Sequence, residues 1–142
     1  MTKAFFIVLA ATIFLLSGCS GKFKESQVPV AAKQTFEKNY SGIKGTWDKE
    51  DNNYEVSFKK DGKDMSVVIN ESGTIVETET DIPVTDLPAT VLDYIKQHYQ
   101  GKEIKEASTI TKANGAVNYE AEVDDKDVIF DANGKFIEEE KD

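Results

Sequence analysis

Three groups of side chains in this sequence have the chemical type to act on something. The single cysteine, Cys19, follows Leu16-Ser17-Gly18. A thiolate is a strong nucleophile at neutral pH, and small residues ahead of it leave room for an enzyme to reach the peptide bond before it. The single histidine, His98, stands beside Tyr99, and its counterpart in the repeat described below is Asn39. With no second histidine and no cysteine nearby it can form neither a metal pair nor a triad, so it reads as a solvated helix residue. No G-x-S-x-G elbow offers a serine nucleophile. The third group is acidic: Asp48-Lys49-Glu50-Asp51-Asn52-Asn53, and Asp124, Asp125 and Asp127. The first run departs from a calcium loop, because its sixth position is Asn53 instead of Gly and Lys59 stands where a bidentate Glu is needed. Both runs read as turns, which Asp and Asn stabilise through their own side chains. The expectation is a protein with no catalytic residues, no metal site and no cofactor.

The surroundings of Cys19 give it a role. Ala4 to Leu16 is an apolar run preceded by Lys3 and followed by Ser17 and Gly18. It is too short for a membrane span, which needs about 20 apolar residues, and has the layout of a signal peptide. Leu16-Ser17-Gly18-Cys19 resembles the lipobox of bacterial lipoproteins, which implies lipid on the Cys19 thiol and cleavage just before it. Residues 1–18 then form the signal peptide and 19–27 a lipid-anchored linker. Ser20, where an aspartate would retain the protein elsewhere, resembles the sorting pattern for the outer membrane. Lys22 and Lys24 argue against an acidic surface-export tag, so the expected place is the outer membrane facing the periplasm, with the cell surface as the alternative.

Removing residues 1–18 leaves 16 cations (17 less Lys3) against 26 acids, a net charge of −10. All the cations are lysine. Nucleic-acid contacts favour arginine and a polyanion is repelled by such a chain, so nucleic acid is excluded as a partner. Anionic headgroups are repelled too, leaving the acyl chains as the only membrane contact. With one cysteine there is no internal disulfide, and the fold rests on its core.

That core is built from a repeat. Val28-Pro29-Val30 recurs as Leu87-Pro88-Ala89, Phe36 as Ile95, Tyr40 as Tyr99 and Gly42 as Gly101, all 59 residues apart. Tyr54-Glu55-Val56 matches Tyr119-Glu120-Ala121, Val67 to Asn70 matches Val128 to Asp131, and Ser72 to Glu77 matches Asn133 to Glu138. Ala32, Phe36 and Tyr40, and then Val91, Ile95 and Tyr99, recur every fourth residue, predicting one helix per repeat that starts at the proline and stops before the glycine. The period then changes to two, with Tyr54, Val56 and Phe58 in one repeat and Tyr119, Ala121 and Val123 in the other. Asp61-Gly62, Ser72-Gly73, Asp124-Asp125 and Asn133-Gly134 mark turns. The fold class is α+β: two tandem repeats, 28–80 and 81–142, each one helix packed on a four-stranded antiparallel sheet. A unit of about 57 residues buries little surface, so the two are expected to share a core or a continuous sheet in one compact domain.

This duplicated order of helix, YEV-type, VVIN-type and SGTIVE-type strands across Val28 to Glu139 resembles the PepSY-like family, whose fold resembles beta-lactamase inhibitory protein. The resemblance implies a non-enzymatic extracytoplasmic module that binds or restrains another protein. If Val67 and Ile69 lie under a helix, alternation sends Val68, Val76, Glu55 and Ser57 to the opposite face, and in the second repeat Ile129, Ile137, Glu120 and Glu122. These residues are the candidate partner-binding surface. Trp47, the only tryptophan and placed near the end of the first strand, is either an anchor for the partner or a core ring. The function expected is a lipid-anchored module that binds an envelope protein or peptide through its open sheet. The alternatives are a structural or envelope-stress lipoprotein and a weak cation or small-ligand binder.

Overall fold

A computed structural model describes residues 23–141; the expected signal peptide and Cys19 lie outside the described residues. Pro29 and Pro88 occupy the caps of helices α1 (Val30–Asn39) and α2 (Ala89–His98). Neither cap has a side-chain hydrogen bond; the proline carbonyls accept the first helical bonds, from the Lys33 and Leu92 N–H groups, each at 3.2 Å. Gly42 and Gly101, at φ of +76° and +74°, turn the chain away after each helix, a conformation cheap only for glycine. Each helix is also preceded by a three-residue 3-10 turn, Glu25–Gln27 and Val84–Asp86.

Four strands follow each helix: β1 (Thr46–Glu50), β2 (Asn53–Lys60), β3 (Lys63–Asn70) and β4 (Ile75–Asp81), then β5 (Ile104–Lys112), β6 (Val117–Val123), β7 (Lys126–Phe130) and β8 (Phe136–Lys141). All eight form one antiparallel sheet in chain order. The repeats are therefore joined as one continuous sheet, through the β4–β5 ladder from Glu77↔Lys112 to Asp81↔Ser108. Two of the three two-residue hairpins are matched. Asp61 and Gly62 between β2 and β3, and Asp124 and Asp125 between β6 and β7, all have positive φ, as a two-residue turn matched to strand twist requires.

The register carries one face through every strand. Trp47 pairs with Val56, Val56 with Val67, Val67 with Thr78, Thr78 with Thr111 and Thr111 with Val117; Tyr119 pairs with Phe130. Both helices use this face. Ala32 and Phe36 of α1 form a core with Trp47, Val56, Phe58, Val67 and Ile69. Val91 and Ile95 of α2 form a second core with Ala107, Ala121, Val123, Val128 and Phe130. Trp47 is thus a core ring, edge-on to Phe36 at 5.7 Å, and it lies near the start of β1, not its end. Ala107 takes the matching place in the second repeat, opposite Ala121.

Matched bulges interrupt both halves. Val68 faces Glu77 while Ile69 faces Ile75, which leaves Val76 without a partner. Ile129 faces Glu138 while Phe130 faces Phe136, which does the same for Ile137. A third irregularity leaves Lys105 between Ile104 and Glu106.

The candidate functional site: the sheet face opposite the helices

The second face of the sheet follows from the same register. Glu55 pairs with Val68, Val68 with Glu77 and Glu77 with Lys112. Ser66 pairs with Glu79 and Glu79 with Ile110; Asp81 pairs with Ser108, Ser108 with Glu120 and Glu120 with Ile129. Among the described residues no helix or turn of the two repeats packs here, since both cores lie on the other side. Alternation therefore placed Val68, Ile129, Glu55 and Glu120 on the face opposite the helices.

Their accessibility differs from the expectation. Val68 is 3% exposed, Ile129 is fully buried and Glu120 is 6% exposed; Glu122 is buried as well. Ile110 and Ile129 make a small apolar cluster separate from both helical cores. Acidic residues stand beside these aliphatics in the register: Glu55 and Glu77 beside Val68, Glu79 beside Ile110, Glu120 beside Ile129. Glu55 and Val76 are half-buried. Ser57 is exposed, and Ile137, left without a partner at its bulge, is 46% exposed.

Charge on this face is unbalanced. Three lysines reach it and each is already engaged. Lys59 pairs with Asp64 at 3.1 Å, Lys105 with Glu122 at 3.2 Å and Asp125 at 2.5 Å, and Lys112 with the buried Glu77. Glu50, Glu55, Glu79, Asp81 and Glu120 have no lysine partner within ion-pair distance among the described residues. One oxygen of Glu50, Glu55 and Glu120 is buried without a hydrogen-bond donor. The Ser108 hydroxyl lies beside Glu79 and offsets part of its burial, yet completes no hydrogen bond.

Burial of such carboxyls favours their protonated form. Burial, reinforced by Glu55 and Glu77, pushes Glu50 up to about 8. Burial raises Glu55 to about 7 against a lowering contact from Ser66. Glu79 and Glu120 are both raised, first by burial and then by neighbouring acids; for Glu120 these are Glu79, Asp127, Glu77 and Asp81. Asp81 is raised too, by burial and by Asp64.

Of these acids, sequence reasoning singled out Glu55 and Glu120, read Glu50 as part of a turn although it closes β1, and missed Glu79 and Asp81. The signal for the last two was the alternation Glu77-Thr78-Glu79-Thr80-Asp81, which puts three acids on one face of β4. His98 is exposed and stacks on Tyr94 at 4.1 Å. Among the described residues no three His, Cys, Asp or Glu side chains are grouped to hold a metal ion.

Comparison with known proteins agrees with the architecture. The family model described as beta-lactamase-inhibitor-like, PepSY-like matches this chain twice, over residues 18–77 and 67–138. A Bacteroides eggerthii protein described as periplasmic superposes with a TM-score of 0.70 at 15% identity, covering 80% of this chain and 88% of its own. A BLIP-like protein of Bacteroides fragilis superposes with a TM-score of 0.61 at 19% identity, covering 78% of this chain and 84% of its own. No curated protein matches.

Proposed function

Starting from the fact that this chain belongs to the PepSY-like family, we propose that it is an extracytoplasmic module that binds an envelope protein or peptide through the sheet face opposite its helices. The observation that carries this reading is a sheet face on which, among the described residues, no helix packs and acids without a lysine partner stand in register beside Val68, Ile110 and Ile129. Burying these acids opposes folding, since each must either take up a proton or stand as an unpaired charge, and a partner at this face would offset that cost. The relatives described as periplasmic and as BLIP-like support an extracytoplasmic binding role. Residues 1–18 act as the signal peptide, Cys19 carries the lipid and 19–27 is the linker; 28–80 and 81–142 are the two repeats.

Two experiments test the proposal. A photo-crosslinking residue at Ser57, exposed and on this face, should capture an envelope protein, whereas the same group at Val30, 70% exposed on α1, should not. Equal capture at both positions, or capture at Val30 alone, removes the open face from the proposal. Cys19→Ser should abolish incorporation of labelled fatty acid, because a hydroxyl is a much poorer nucleophile than a thiolate; retained label defeats the anchor assignment.

A further inference from the structure

The path by which the chain enters the first repeat points to a second contact with the membrane, an inference that rests on Cys19 carrying the lipid. Phe23 packs against the first core, and its ring lies 6.2 Å from that of Tyr54. The Lys24 N–H donates to Gln27 Oε1 at 2.9 Å, the Gln27 N–H donates back to the Lys24 carbonyl at 2.8 Å, and Val28 is buried. The chain is therefore folded onto the domain from Phe23 onward, and Ser20, Gly21 and Lys22 alone lie between Phe23 and Cys19. Four Cα steps of at most about 3.6 Å span about 14 Å. The sheet places β8 seven strands from β1, on the order of 34 Å at about 4.8 Å per strand. Such a tether holds one corner of the sheet at the bilayer and not its whole width.

We propose that this corner, built from Phe23, Lys24, Lys49 and Tyr54, rests among the headgroups of a zwitterionic bilayer while the β8 edge stands away from it. Both rings are half-buried and both lysines are exposed. That leaves an aromatic surface rimmed by ammonium groups, a composition suited to the membrane–water interface. The Lys49 ammonium sits 4.0 Å from the centre of the Tyr54 ring and donates to the Asn53 carbonyl at 3.2 Å, so it keeps donors for a lipid phosphate. The second repeat keeps the fold of this corner without its chemistry. Ile82 and Pro83 stand 59 residues after Phe23 and Lys24, and Thr109 faces Tyr119 where Lys49 faces Tyr54. The added ring and both cations thus belong to the repeat that the tether reaches. Glu25, Asp48 and Asp51 are exposed on the same edge of the sheet, so the corner offers both signs of charge, as does a headgroup with one phosphate and one ammonium. The β8 edge instead carries Glu138-Glu139-Glu140, consecutive acids that are costly to take out of water.

The test uses the lipidated protein reconstituted in vesicles of phosphatidylcholine and phosphatidylethanolamine that carry a nitroxide on the headgroup. Lipid blocks the thiol of Cys19, so a dye goes to a single new cysteine, at Asn52 in the turn between β1 and β2 or at Lys141 at the end of β8, both exposed. The nitroxide should quench the dye at position 52 and leave the dye at position 141 near its unquenched intensity. Lys24→Glu with Lys49→Glu should lower the quenching at 52 by about twofold or more, as expected when charged hydrogen bonds to phosphate are lost. Lys24→Glu alone, outside every strand, should show part of that loss, and an unchanged melt shows that the fold is intact. Lys38→Glu with Lys63→Glu, exposed elsewhere in the first repeat, should leave the quenching as it was. Equal quenching at both positions, stronger quenching at 141, no response to Lys24→Glu with Lys49→Glu, or a rise when phosphatidylglycerol replaces both lipids overturns the inference. Protein that floats with the vesicles but is quenched at neither position keeps the anchor and removes the seated corner; protein that does not float removes the anchor and this inference together.

Discussion

A glutamate forced to keep its proton makes the folded state sensitive to alkali. Glu50, Glu55, Glu79, Glu120 and Asp81 all have folded values above those of an exposed acid, so between about pH 4.5 and 8 the folded chain binds more protons than the unfolded one. Their contribution is complete below the unfolded value and is lost as pH rises through the folded values. The melting temperature should therefore be higher at pH 5 than at pH 8.5. Glu77, Glu79, Asp81 and Asp127 crowd Glu120, and Lys112 is engaged by Glu77, so Glu120→Gln should flatten the profile and gain about 1–3 kcal/mol at pH 8.5 by urea titration. An unchanged profile would mean that Glu120 ionises freely in the folded state. Val68→Asp follows the opposite course. With Val68 3% exposed, the variant buries a new charge between Glu55 and Glu77 and should lose about 3 kcal/mol or more, although alternation places the residue on the face away from the helices. The two-residue period reveals which face Val68 takes but not how deeply it lies. Depth depends on what the neighbouring strands place beside Val68, here Glu55 and Glu77 in register, and register is a property of the sheet rather than of the segment.

The prolines and glycines that bracket each helix, and the aspartates in the β2–β3 and β6–β7 turns, made most elements readable, because each residue type is tied to a particular backbone conformation. The 3-10 turns were not legible; three residues are too few to show a period. Nor were the bulges, since an extra residue between Ile75 and Glu77 or between Phe136 and Glu138 leaves the hydrophobic pair intact. The turn after β7 docks on α2. The Thr90 hydroxyl donates to the Asn133 carbonyl at 3.1 Å, and Thr35 of α1 makes the matching bond to the Gly73 carbonyl at 2.7 Å. A Cβ on Gly134 would lie 1.9 Å from Thr90 Oγ1 and 3.0 Å from Thr90 Cβ, at a φ of +74°. Gly134→Ala should cost about 3 kcal/mol or more, combining left-handed strain with the clash. Gly115, at φ +83° with open space around its Cβ position, provides the control: Gly115→Ala should cost only the strain, about 1–2 kcal/mol. Chemical denaturation of the two variants distinguishes them, and equal losses would show that helix docking at Gly134 contributes nothing.

At the scale of the molecule the duplication is visible in the sequence, while the joining of its halves into one sheet is a structural finding. The β4–β5 ladder pairs Glu77-Thr78-Glu79 with Lys112-Thr111-Ile110, residues with no local mark of a junction. A fragment ending at Asp81 would expose that whole β4 edge. It should fail to give a folded monomer by circular dichroism and size exclusion; a monomeric, cooperatively melting fragment would mean that the first core suffices alone. The sheet order has one more consequence. Eight antiparallel strands in chain order return the chain to the end of the sheet where it began, with Thr46 at one outer edge and Lys141 at the other. Tension between the termini therefore acts across the strands, along the hydrogen bonds, and loads them a few at a time instead of shearing a whole ladder together. Tethered at its amino terminus and pulled by a bound partner, such a domain would unzip strand by strand at low force, yielding as a mechanical fuse before it could act as a rigid strut.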